Sequence, residues 1–298
     1  MPPIATLAVG VALLLDAAVG EPPESIHPVA WLGRAIGWLD RPTDHPRFAG
    51  LLLALWLPLG AALATALPIW LLDGHWLAGI LAGGLLFTTV SLDMLCDLTT
   101  TVIEATETDL DRARERIIGL VGRDTDTLGP AALRSGAVES LAENLADGLL
   151  APLLAFVLGS LVSLPVAVGA AAWVKAVNTL DSMVGYRDRQ VGTASARLDD
   201  LVEWVPARLS ALLIALAAGK PGALQTARAW ARDPPSPNSG WPMATLAAVL
   251  DVRLLKPETY DLNPAAELPS LGEATQGVRI VRRAGLLAFA LAGVIAWF

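Results

Sequence analysis

Cysteine is almost absent: Cys96 is the only one in 298 residues, which excludes an intrachain disulfide and any multi-cysteine metal site. Lysine is scarce as well, with Lys175, Lys220 and Lys256 alone among 21 basic residues. Acidic residues number 29 and the net charge is −8, so a nucleic-acid partner, which needs basic patches for its phosphates, is excluded. The pI of 4.9 and the preference for arginine fit a salt-rich cytoplasm, and equally a GC-rich genome. No Gly-rich phosphate loop is present: Gly219-Lys220 runs into Pro221 with no glycine at the required spacing before it, so a Walker-type nucleotide site is excluded. Gly-x-Ser-x-Gly and HExxH are also missing, which removes support for a serine hydrolase or a zinc protease. There is no repeat of solenoid period, and low complexity is confined to residues 233–237.

Charge itself is in short supply. Only 17% of residues are charged and 54% are hydrophobic, with a mean hydropathy of +0.54, too apolar for an ordinary soluble protein. The apolar residues collect in blocks, at 4–19, 50–72, 76–92, 149–174, 204–219 and 284–298. The expected fold is therefore all-α, a multipass transmembrane helical bundle of about 4–6 spans forming a single membrane-embedded domain over 1–298. Block 4–19 has no basic leader and reads as a retained helix rather than a secretory signal. Block 50–72 is uncharged and long enough for a ~30 Å hydrocarbon layer at ~1.5 Å per residue, with Pro58 and Pro68 tolerable in a packed bundle. Block 76–92 would pair with it as a hairpin. Block 149–174, broken by Gly159, Pro165 and Gly169, is either one tilted span or a re-entrant hairpin. Blocks 204–219 and 284–298 are marginal, and Arg208 is placed to snorkel. Most basic residues fall in loops 20–49, 93–148 and 220–283, which makes those loops cytoplasmic in a cell-membrane protein. That layout puts 175–197 outside, unless 149–174 does not cross or the polar stretch folds back into the bundle.

The polar stretches between the apolar blocks carry the chemistry. In AVESLAENLADG, Glu139, Glu143 and Asp147 recur every four residues and share one helix face, with Asn144 beside them. Such a carboxylate row can hold Mg²⁺, which takes oxygen ligands and bridges to phosphates, or it is the solvated face of an amphipathic helix. In KAVNTLDSMVGY, Lys175, Asn178, Asp181 and Ser182 lie at helical spacing, as a functional row or as interfacial anchors. SARLDDLVEW brings Asp199, Asp200 and Glu203 together, either for a metal diphosphate or as a helix N-terminus favoured by the macrodipole. Arg123 and Asp124 of VGRDT suit a phosphate or carboxylate, and Ser236, Asn238 and Ser239 sit on a Pro-rich loop; both segments also read as plain turns. His27 of HPVAW stands near the start of the first polar loop, and it has a structural reading beside the functional one.

In order and wording these stretches resemble the CobD/CbiB family of cobalamin biosynthesis proteins. The resemblance is carried by GEPPESIHPVAWLGRAI, VGRDT, AVESLAENLADGLLAPL, KAVNTLDSMVGYRDR, SARLDDLVEWVPARL and SPNSGWP, between Asp16 and about Tyr260. It implies adenosylcobinamide-phosphate synthase activity, an ATP-dependent amide ligation of adenosylcobyric acid to aminopropanol phosphate. It further implies Mg²⁺ and ATP as cofactor and co-substrate, the lipid bilayer as surroundings, and other late cobalamin enzymes as partners. On this resemblance Glu139, Glu143, Asp147, Asp199 and Asp200 would bind Mg²⁺, with Glu139, Glu143, Asp181 and Lys175 catalytic. Arg123, Asp124, Lys175 and Arg197 would face phosphate, and His27, Asn144, Asn178, Asp181, Ser182 and Asn238 the substrate. The chain departs from the family pattern at Met243, where an acidic residue is usual, and at Leu255-Lys256, where a Gly-Gly pair is usual. A transporter, which should show paired broken helices in two related halves, and a non-catalytic membrane scaffold are the competing readings.

Overall fold

The computed structural model describes residues 2–72, 74–120, 125–186 and 189–298. They are almost entirely helical. In chain order the elements are α1 (Pro2–Val19), α2 (Pro28–Leu39), α3 (Pro46–Leu71), α4 (Leu77–Phe87), α5 (Asp93–Thr108), α6 (Leu110–Ile117) and α7 (Pro130–Leu145). A π-helical turn (Ala146–Leu150) leads into α8 (Ala151–Ser160) and α9 (Leu164–Val184). A 3₁₀ turn (Gln190–Gly192) precedes α10 (Thr193–Val202), α11 (Trp204–Ala217), α12 (Ala223–Ala227) and α13 (Gly240–Leu250). The antiparallel hairpin β1 (Leu254–Lys256) and β2 (Tyr260–Leu262) and the long α14 (Leu271–Ile295) complete the chain.

The chain divides into two compact units. The first comprises the chain up to Ser91, then Asp147–Glu203 and Phe289–Phe298. In it α1 lies against α4, where Gly79 and Gly83 stand one helical turn apart. A Cβ on Gly83 would come within 2.7 Å of the Ala8 carbonyl oxygen, so the two backbones approach as only small residues allow. α3, α2 and α10 all pack on α9. Ile36, Ala54, Leu180 and Val184 form the apolar centre of that packing, with Leu53, Leu57 and Met183 around them. This apolar seal fixes the polar row of α9 relative to α2 and α10.

In the second unit, Leu92–Ala146 and Trp204–Ala288, α7 is the buried centre and packs against α5, α6, α13 and β1. Arg134 on α7, 9% exposed, donates to the Pro269 carbonyl (2.9 Å), Thr106 Oγ1 (3.0 Å) and Glu107 Oε1 (2.7 Å), which offsets the cost of burying its charge. Arg282 ties α14 to α5 through Asp93 (2.7 Å) and Asp97 (2.9 Å).

The apolar blocks resolve differently from the span layout. Two helical runs among the described residues are long and apolar enough to cross a membrane, Pro46–Leu71 and Pro130–Ser160. The second is hidden in the sequence by Glu139, Glu143 and Asp147, which interrupt its hydropathy. Block 76–92 contracts to α4, which ends at Phe87, and 204–219 to α11, which ends at Ala217; both are short for a span. Block 149–174 is not one span. The helix stops at Ser160, and Ser163 Oγ caps the next by accepting from the Val166 N–H (3.4 Å). There α8 packs back on α9, with a Cβ on Gly159 coming within 2.6 Å of Ala167 Cα. Block 284–298 is the tail of α14, which begins at Leu271 behind a capping pair, Ser270 Oγ to Glu273 Oε2 (2.7 Å), and carries Arg279, Arg282 and Arg283.

Candidate active site

The acids singled out in the sequence divide between the two units. In the first unit, α9 turns Lys175, Asn178 and Asp181 toward α10 and its C-cap Glu203, which is buried. The charged neighbours of Lys175 are Asp147, Glu203 and Glu21; burial lowers its pKa and the three acids oppose the shift. Asp199 is pushed up to about 8, first by burial and then by Glu203, Asp181 and Asp200, while a hydrogen bond from Asn178 pulls the other way. Asp181 is pushed up to about 6 by burial and by Asp200. Asp181 Oδ1 and Asp199 Oδ1 are both buried and accept no hydrogen bond among the described residues. A Cβ on Gly185 would fall on the Asp181 carboxylate, so glycine at 185 is what leaves room for that group.

His27 closes the same network. Its Nδ1 accepts from the Val29 N–H (3.1 Å) as the N-cap of α2, leaving Nε2 3.5 Å from Glu21 Oε1. Burial lowers its pKa, Glu21 raises it, and Lys175 lowers it further. Ser182, expected on the same face, is instead exposed, with its hydroxyl donating to the Thr179 carbonyl (2.9 Å). Arg197 is exposed on α10.

The second unit holds Glu139 and Glu143 on α7. Each oxygen of Glu139 accepts a hydroxyl, from Ser135 (2.7 Å) and from Tyr260 (2.8 Å), and Ser135 Oγ in turn accepts from the Leu255 N–H (3.0 Å). Glu143 has Lys256 and Glu139 as charged neighbours. The departures from the family pattern gather here: Lys256 is beside Glu143, and the Tyr260 hydroxyl also lies 3.8 Å from Met243 Sδ. Asn144 turns inward along its own helix, donating to Ser140 O (3.0 Å) and Ser140 Oγ (3.1 Å). Asn238 is 4% exposed and its Oδ1 accepts from Arg208 (2.7 Å). Arg208, expected to snorkel, is held by this bond and by stacking on Trp204 and Trp241.

Glu139, Glu143 and Asp147 differ in their charged neighbours: Glu143 has Lys256 and Glu139, whereas Asp147 is a neighbour of Lys175. The π turn starting at Ala146 widens the helix where Asp147 stands, and Asp147 belongs to the first unit while Glu139 and Glu143 belong to the second. Single π turns inside α-helices recur at functional sites. Among the described residues no group of three or more His, Cys, Asp or Glu lies close enough to hold a metal by itself. Arg123 and Asp124 lie outside the described residues. Sequence reasoning missed Glu21, Tyr260, Ser135 and Lys256. Glu21 stands in the first motif, and its spacing to His27 was the available signal; Ser135 stands one helical turn before Glu139, so its spacing was a signal too, and only Lys256 and Tyr260 reach α7 through tertiary packing.

The model of the family described as CobD/Cbib protein matches residues 9–287. The chain belongs to this family. It is similar to the probable cobalamin biosynthesis protein CobD of Methanothrix thermoacetophila, 34% identical over 96% of this chain and 95% of the relative. It is also similar to the cobalamin biosynthesis protein CobD of Klebsiella pneumoniae, 36% identical over 92% of this chain and 89% of that one, and to CbiB of Salmonella paratyphi B, 34% identical over 92% and 89%. No solved structure matches the chain. Both acid centres of this CobD/CbiB protein fall inside the matched residues.

Proposed function

We propose that this chain acts in cobalamin biosynthesis as a membrane-bound amide ligase, joining the free propionate of adenosylcobyric acid to aminopropanol phosphate with consumption of ATP. The family supports the pathway, and the buried network of Lys175, Asp181, Asp199, Asp200 and Glu203 is the observation that supports group-transfer chemistry there. Membrane attachment is supported by α3, of whose apolar window only 17% is buried. Leu55, Trp56, Leu59, Leu63 and Leu67 are exposed along it, a surface that water would not tolerate in a monomer.

A carboxylate is a poor acyl donor. In the proposed reaction an oxygen of the propionate attacks the terminal phosphorus of ATP, ADP departs, and an acyl phosphate forms. The free amine then attacks the acyl carbon, inorganic phosphate leaves, and the amine proton passes to a base. Asp181, with a pKa of about 6 and a buried oxygen that accepts no hydrogen bond, has the properties of that base. Lys175, and Arg197 at the surface, offset phosphate charge, and Asn178 holds Asp199 in place. Positioning and charge neutralisation carry most of such a reaction.

Mg²⁺ typically takes one or two carboxylates and fills its remaining positions with water and substrate phosphates, so the lack of a three-acid cage among the described residues is compatible with it. Asp199 and Asp200, with Asp147 nearby in the Lys175 network, would hold it, and Asp199 Oδ1, buried without a hydrogen-bond donor, suits a cationic partner. Bound there, Mg²⁺ would neutralise the phosphates of ATP. Glu139 has both oxygens committed to Ser135 and Tyr260 and acts by holding the hairpin against α7, whereas Glu143 has Lys256 as its opposite charge. Asp199→Asn should abolish ligation while leaving helicity and membrane insertion unchanged. A scaffold protein would tolerate that substitution, so retained activity of the pathway with Asp199→Asn would favour the scaffold.

A further inference from the structure

In the second unit a cavity of about 380 Å³ opens beside Arg208, between α11, α12 and the first turn of α13. Arg208 is fixed from several sides. It donates to the Trp204 carbonyl (2.8 Å), Asn238 Oδ1 (2.7 Å) and the Pro237 carbonyl (3.2 Å). Its guanidinium lies 4.4 Å from the ring centre of Trp204 and 5.3 Å from that of Trp241. A guanidinium has more N–H donors than these bonds use. Arg228 and Gln225 line the same cavity, and Arg232 is the charged neighbour of Arg208. No acidic side chain lines it, and among the described residues none of the three arginines forms an ion pair. Three cations gathered with no ion pair among the described residues, in a chain whose net charge is −8, repel one another, and an anion would relieve that repulsion.

We propose that this cavity binds a phosphate monoester; testing it with the phosphorylated amine rests on the amide-ligase reading. A phosphate monoester is close to dianionic at neutral pH and offers acceptors to several arginines at once. A magnesium nucleotide fits less well, because its metal needs oxygen ligands and no carboxylate lines this cavity. The Asn238 loop aims Arg208 at the anion, and Arg228 completes the clamp.

The test is calorimetry on the full chain in neutral detergent, with inorganic phosphate, aminopropanol phosphate and unphosphorylated aminopropanol as titrants, on wild type, Arg228→Gln and Arg208→Gln. Arg228 is exposed, so its replacement keeps the fold; a thermal melt checks Arg208→Gln. Both phosphates should bind and the free amino alcohol should not, and Arg228→Gln should weaken phosphate binding by about tenfold or more. In turnover, Arg228→Gln should raise KM for aminopropanol phosphate and leave KM for ATP unchanged. Phosphate binding unaffected by Arg228→Gln overturns the proposal. So does an equal rise in both KM values, which would mark a nucleotide site, or, in a parallel co-sedimentation with anionic-lipid vesicles, a loss confined to vesicle binding, which would mark a headgroup site. If inorganic phosphate binds through Arg228 but no ligation occurs, the anion site stands and the ligase reading fails.

Discussion

Asp199 sets a stability profile that runs opposite to the usual one for a carboxylate. Its pKa rises from 3.8 to about 8 in the folded chain, with burial the main cause and Glu203, Asp181 and Asp200 adding to it. Between those two pH values the folded state keeps a proton that the unfolded chain has released. Stability from this group is therefore complete below about pH 4, falls as pH rises through the window, and levels off above about pH 8. The limiting slope is about 1.4 kcal/mol per pH unit, so a shift of this size has a ceiling of roughly 6 kcal/mol. Relaxation of the coupled acids reduces the expected gain for Asp199→Asn to about 2–3 kcal/mol at pH 7.5. Thermal melts in detergent with EDTA, from pH 5 to 8.5, would show it: the wild-type Tm should fall with pH and the variant's should fall less, the two separating by several degrees at the alkaline end. Parallel profiles for the two proteins would refute the burial argument, because a solvated Asp199 has the same pKa folded and unfolded.

Other substitutions probe separate joints of the fold. Tyr260→Phe removes one of the two hydroxyls on Glu139 and leaves a buried carboxylate oxygen without that donor, so denaturant titration should show a loss of about 1–3 kcal/mol. Gly83→Leu forces a side chain into α1 at Ala8 and Val11 and should cost about 1–3 kcal/mol or more, lowering Tm without changing KM for either substrate. Lys175→Met leaves Asp147, Glu203 and Glu21 without their shared cation; ligation should be lost, and the pH at which the chain is most stable should move down, as read from melts across pH.

Much of this is legible in the sequence where the information is local. The i, i+3 spacing of Lys175, Asn178 and Asp181 predicts one helix face, and the structure turns that face to Asp199, as the Asn178 hydrogen bond shows. Ser182 follows the same spacing but falls past the edge of the face. The four-residue spacing of Glu139, Glu143 and Asp147 assumes a uniform α-helix, and the π turn that begins at Ala146 leaves no mark in that spacing. The long helix from Pro130 to Ser160 escapes detection because hydropathy is a sum, and its three acids, with Arg134 and Asn144, offset the apolar residues around them. Block 149–174 fails at Ser163, whose capping role outweighs its neighbours' hydropathy. Only half of the Arg208 setting is local: Trp204 stands one helical turn before it, but Asn238 and Trp241 lie about thirty positions away and meet it only through packing. The hairpin of β1 and β2 is likewise too short to show a strand period.

The most direct test of the central claim is to incubate membranes containing this chain with adenosylcobyric acid, aminopropanol phosphate and Mg-ATP and follow the corrinoid by mass. The account predicts adenosylcobinamide phosphate with one ADP released per amide formed, and no product from Asp199→Asn or Glu143→Gln membranes with equal protein content. No product from folded wild-type chain at low and high salt, or undiminished product from both variants, would contradict it.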